Sequence, residues 1–105
     1  MSLDEFYRLI SESLNIPVSY DHFKEAPTLP FIAYIDQGKD TFIADDRVYT
    51  KSTNLVIELY TEKKDFSLEE KLESFFESNF GRWEDDETVY IETENLYKHN
   101  YYIKI

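Results

Sequence analysis

Carboxylates make up most of the side chains that could do chemistry in this chain: 22 Asp and Glu stand against 11 Lys and Arg, two His and no Cys. Asp45 and Asp46 are adjacent within "FIADDRVYTK". Two neighbouring acids in a loop can hold Mg²⁺ or Ca²⁺, which take oxygen ligands, but an EF-hand loop also needs acids at alternating positions, a central Gly and a distal Glu. Those are missing here, and adjacent residues of an extended chain point to opposite sides. The doublet therefore reads as a turn, where Asp accepts local backbone hydrogen bonds. The second concentration is "EDDETVYIETE", residues 84–94, with six acids and no base. Paired carboxylates run glycosidic chemistry when burial raises one pKa. With Asp85 and Asp86 expected in a turn and Glu92 and Glu94 on one parity of a strand, a solvated acidic face is expected instead.

His22 and His99 are far apart and lack the Cys/His spacing of a zinc site. Both read as surface or interface histidines. No nucleophile motif accompanies them, and with only Gly38 and Gly81 a phosphate-cradling loop is nearly excluded. Tyr97, Tyr101 and Tyr102 have the spacing of a base-stacking platform, but such platforms sit in basic grooves. Here only Lys98 and Lys104 accompany them in a chain of net charge −11. Core packing and protein contacts are the expected uses, since Tyr serves well at interfaces.

The same charge repels DNA and anionic lipid. Disorder is the other meaning of an acidic chain, and 17% aromatic residues argue against it. At 105 residues one domain is expected, burying about two-thirds of its unfolded surface. The first residues lack the basic and apolar pattern of a signal peptide, and no apolar run approaches the roughly 20 residues of a membrane span. A soluble, intracellularly made protein is the expectation, and the lack of Cys fits a reducing compartment without proving one.

These residues must be positioned by a small set of elements. Ser2 and Glu5 have capping-box spacing, and Leu3, Phe6, Ile10 and Leu14 recur at helical period, so residues 2–14 read as a helix ended by Pro17. After a loop with Pro27 and Pro30, residues 31–35 read as a strand apolar on both parities, hence central or covered on each face. Residues 37–40 carry turn chemistry, and short β-prone pieces, 41–44 and 47–51, flank Asp45-Asp46. Residues 55–60 form the clearest strand, with Leu55, Ile57 and Leu59 inward and Glu58 outward. A second helix begins near Ser67, capped by Ser67 and Glu70, with Leu68, Leu72, Phe75, Phe76 and Phe80 as its apolar stripe and Gly81 at its end. Strands at about 87–92 and 97–104 close the chain. The sum is an α+β domain, a mainly antiparallel β-sheet with two helices packed on one face.

In that order, the pieces "IPVSYDHF", "LPFIAYIDQ", "FIADDRVYTK", "LVIELYTEKKD", "EEKLESFF" and "WEDDETVYIETENLYKHNYYIKI" cover nearly the whole chain. Together they resemble the small tail-completion, tail-terminator or neck proteins encoded by long-tailed phages and prophages of Gram-positive bacteria. The resemblance implies a virion structural protein made in the host cytoplasm, with no catalytic residues, no cofactor and no metal. It implies a ring, a hexamer when assembled, that caps the tail tube and meets head-connector proteins while DNA passes through without specific binding. It also implies the same α+β fold. Contact with a neighbouring subunit or tail partner is expected from Phe42, Ile43, Asp45, Asp46, Arg47 and Tyr49, because apolar Phe42-Ile43 beside two acids suits an interface. The contrary expectation is that Phe42 and Ile43 pack on the body of the domain. The alternative function is a monomeric acidic interaction domain, a DNA mimic or a binder of a basic protein; an enzyme would rest on the carboxylates alone.

Overall fold

A computed structural model describes the backbone of residues 1–105 and every side chain except those of Tyr49 and Thr50. Helix α1 spans Leu3–Leu14 because Ser2 caps it: its hydroxyl accepts from the Glu5 N–H at 3.1 Å, satisfying a donor that the first turn leaves orphaned. The helix stops at Asn15, which turns left-handed at φ 54° and donates its N–H to the Ser11 carbonyl. Phe6, Ile10 and Leu14 lie on the buried stripe.

Strand β1, Val18–Tyr20, follows at once and pairs parallel with β2, Phe31–Ala44. It went unseen in the sequence because three residues are too short for a period-2 pattern to register. Strand β2 turns back into β3, Arg47–Thr61, and β3 pairs antiparallel with β6, Leu96–Lys104. Two short strands, β4 at Glu84–Asp85 and β5 at Val89–Ile91, share the outer edge of β6. The sheet runs β1-β2-β3-β6-β4, with β5 also on β6. All pairings except β1 with β2 are antiparallel. An α+β domain with a mainly antiparallel sheet is what the sequence pattern predicted.

Helix α2, Phe66–Phe80, lies between β3 and β4 in the chain. Its N-cap is Asp65 rather than Ser67: the Asp65 carboxylate accepts from the Leu68 N–H at 3.0 Å. Two oxygens and a full charge near the positive end of the helix make the earlier acid the better cap. Gly81 ends the helix at φ 82°, as its position implied.

One hydrophobic cluster joins both helices to one parity of the sheet. Phe6, Ile10 and Leu14 of α1 and Leu72, Phe75 and Phe76 of α2 meet Ile32 and Tyr34 of β2, Leu55, Ile57 and Leu59 of β3, and Tyr101 and Ile103 of β6. Phe6 touches Tyr34 and Phe75 edge-on, with ring centroids 5.1 and 6.4 Å apart, an arrangement that adds to the area buried. Glu58 points away from this cluster, where Lys98 pairs with it at 2.8 Å.

Residues 37–40 do not turn. Asp36 pairs with Leu55 and Lys39 with Thr53, so Gln37 and Gly38 together oppose Asn54 in a β-bulge. Gly38 sits at φ 107°, a value only glycine adopts at little cost, and its N–H donates to Asp36 Oδ1 at 2.7 Å. Gly and Asp serve a bulge as readily as a turn, which is why the local sequence misled. Beyond the bulge, β2 and β3 continue as a two-stranded arm. The molecule measures 52 × 26 × 25 Å, and its radius of gyration of 14.9 Å exceeds the roughly 13 Å of a compact chain of this length.

Candidate functional site

The arm is built from a tight turn outward. Asp45 and Asp46 have φ of 51° and 59°, and Ala44 pairs with Arg47 across them. Two consecutive positive φ values define the type I′ loop, whose twist matches that of the strands it joins. Asp tolerates the left-handed region better than most residues. The doublet is thus the hairpin tip, and its two residues are spent on backbone geometry rather than on converging carboxylates. Among the described residues no group of three or more His, Cys, Asp or Glu is arranged to hold a metal ion.

Phe42 and Ile43 stand 62% and 61% exposed, so they do not pack on the body of the domain. Neighbours along a strand face opposite ways. Phe42 shares one side of the arm with Ala44 and Arg47, while Ile43 faces the other beside its cross-strand partner Val48, itself 50% exposed. A second bulge places Tyr49 as the extra residue of β3, between the Phe42–Thr50 and Ile43–Val48 pairs. The Tyr49 side chain expected at the contact surface lies outside the described residues. The other five, Phe42, Ile43, Asp45, Asp46 and Arg47, are gathered in the last turn of the hairpin, on both of its sides.

The root of the arm is held firmly. Thr53 and Ile105 exchange two backbone hydrogen bonds of 3.0 and 2.9 Å. Lys104 reaches Asp40 at 2.7 Å, and this hydrogen bond, with one from Asn54, holds the Asp40 carboxyl below its usual range. The Tyr20 hydroxyl accepts from the Asp36 N–H at 3.2 Å. Beyond this root neither β2 nor β3 has a second strand beside it. The arm therefore presents unpaired edges as well as bare apolar side chains, both of which invite another chain.

The histidines divide. His22 is exposed and lies 3.0 Å from Asp21, as expected. His99 is only 5% exposed, which corrects its reading as a surface residue. Its Nε2 lies 2.9 Å from Asp85 and its Nδ1 3.3 Å from both Glu69 and Thr88. Lys64 binds Glu69 at 2.9 Å and Thr88 at 2.7 Å, closing the network. The imidazole stacks on Tyr101, with centroids 4.2 Å apart, and the Tyr101 hydroxyl donates to Glu73 at 2.6 Å. Burial first, then that hydrogen bond, pushes the Tyr101 phenol well above its ordinary range. These partners come from α2, β4, β6 and the segments flanking them, so nothing local in the sequence joins them. With His99, Glu69 and Tyr101 buried and Lys64 and Asp85 at its open side, the cluster links α2 and the β4 edge to β6.

The acidic run 84–94 is also redistributed. Asp85, expected in a turn with Asp86, instead lies with Glu84 in β4, and Glu92 and Glu94 lie in the turn between β5 and β6 instead of on a strand. Tyr101 is fully buried while Tyr102 faces the other side of the sheet, so the three tyrosines of β6 make no common platform. No helix of the described residues is long and apolar enough to cross a membrane. A comparison of the chain with models of protein families finds no match, and neither does a comparison with curated proteins.

Proposed function

We propose that the chain is a structural subunit of the junction between head and tail of a long-tailed phage, a tail-terminator or tail-completion protein that assembles into a ring on the tail tube. The observation that carries this reading is the arm. It leaves the body on a fixed root and holds Phe42, Ile43 and Val48 in solvent at its end. Apolar side chains concentrated at the tip of a projection favour a contact that covers them. A closed ring is built from head-to-tail contacts between two different patches of each subunit, and an arm set apart from its body supplies one of them. The net charge of −11 supports the same role, because an acidic lumen repels the phosphates of passing DNA. The hexameric count, the tail-tube and head-connector partners and the place in the virion rest on the family resemblance. Catalysis and cofactors have no part in this role.

The test is electron microscopy of particles from a phage deleted for this gene. Filled heads lying apart from headless tails are expected, with irregular tail length pointing to termination. Joined, infectious virions of normal length would overturn the reading in favour of an acidic domain that binds a separate partner.

A further inference from the structure

The face of the sheet turned away from the helices carries an apolar cleft of about 570 Å³, room for several side chains rather than a lone water. Its floor is Phe31, Tyr60 and Leu96, and one wall is the loop between β1 and β2. Phe31 stacks on Tyr60 at 4.9 Å, and Phe23 from that loop meets Phe31 edge-on at 5.2 Å. Two exposed acids, Asp21 and Glu94, also line it, with His22 against Asp21 at 3.0 Å. The floor residues begin β2 and β6 and end β3, so the cleft lies at the end of the sheet opposite the arm. The arm tip is about 40 Å along β2 from Phe31 at the usual strand rise, so it cannot fold back into its own cleft.

One side of the arm matches this cleft in character. Lys39 pairs with Thr53, Thr41 with Lys51 and Ile43 with Val48, so these six share a face with two lysines, two bare apolar residues and no acid. In a chain with twice as many acids as bases this face is an exception. Among the described residues the ion pairs engage neither Lys39 nor Lys51.

We infer that this face of the arm docks in the cleft of a second copy of the chain, with Ile43 and Val48 over Phe31, Tyr60 and Leu96 and the two lysines toward Asp21 and Glu94. The inference rests on the ring reading and deepens it by naming the acceptor surface. Because donor and acceptor occupy opposite ends of one molecule, the contact is heterologous and propagates from copy to copy until the rotation closes a ring. The same face-to-cleft charge pairing sets orientation and excludes the acid-against-acid approach that two such chains would otherwise meet.

The chain has no Cys, so single cysteines report this contact cleanly. Thr41→Cys on the arm and Ala26→Cys at the cleft wall, carried on differently sized copies, are mixed and oxidised while the mass distribution is followed. The mixed disulfide is expected to form at least tenfold faster than either self-pair. Lys39→Glu with Lys51→Glu is expected to slow it at least tenfold, and Asp21→Lys with Glu94→Lys on the partner copy to restore it. Assemblies that form without a preference for the mixed disulfide would overturn the docking and leave the ring reading standing. A chain that stays monomeric to about 1 mM with no mixed disulfide would also overturn it. A preferred disulfide in a protein whose gene-deleted phage makes normal virions would keep the docking and remove the phage role.

Discussion

His99 and Tyr101 are the residues on which the body of the domain depends beyond its hydrocarbon core. The His99 ring is buried, stacks on Tyr101 and reaches Asp85, Glu69 and Thr88, so deleting it leaves a cavity and breaks those hydrogen bonds, at a cost of about 2 kcal/mol. His99→Ala is therefore expected to lower the thermal midpoint by on the order of 10 °C, measured by circular dichroism. Tyr101 adds a pH dependence whose sign follows from its environment. Burial raises the phenols of Tyr34, Tyr60 and Tyr101 above their ordinary value in the fold. A group raised in the folded state contributes stability that is complete below its unfolded value, about 10 for Tyr, and is lost as pH climbs toward the folded one. Urea midpoints should hold steady to about pH 9 and fall above about 10, and Tyr101→Phe should flatten that fall. None of this network was legible in the sequence. Glu69, Asp85 and His99 lie in three separate segments, and only the antiparallel pairing of β4 with β6 and the docking of α2 bring them together.

Elements were more legible than residues, for a physical reason. Both helices announce themselves by caps and a 3.6-residue stripe, signals contained within a dozen residues, and both are found where the stripes place them. Even so, the first turn of α2 depends on Asp65, and Asp65→Ala should cost about 1 kcal/mol where Ser67→Ala costs little. Equilibrium urea unfolding of the two variants separates them. The arm was half legible. The sequence predicts its tip as a hairpin but ends the strand at residue 35, because Gln37-Gly38-Lys39-Asp40 has the composition of a turn, whereas in the fold it works as a bulge. Whether its apolar residues faced the body or solvent could not follow from alternation, since Phe42 and Ile43 occupy both parities. At the tip, Asp45→Val should cost about 1 kcal/mol, because a β-branched residue resists positive φ, while Asp46→Gly should be neutral or stabilising.

At the scale of the whole molecule, the arm tip and the apolar cleft lie toward opposite ends of a long axis of 52 Å. The hydrophobic core lies between the helices and the sheet and takes nothing from the tip of the arm. Replacing residues 40–51 by a short Asn-Gly turn should leave the thermal midpoint of the body within a few degrees, because the residues lost bury little. Small-angle scattering should then report a radius of gyration closer to the roughly 13 Å of a compact chain, and every assembled species should be lost. The fold class was legible at this scale and the projection was not, since composition and periodicity record what is buried rather than what stands out.

Gold-labelled antibody against the chain, applied to intact virions under the electron microscope, tests most directly the proposal that it is a structural subunit of the junction between phage head and tail. Gold at the point where tail meets head, on most particles, is the predicted result. Virions free of gold, with the chain recovered only from the soluble fraction of the lysate, would contradict the account.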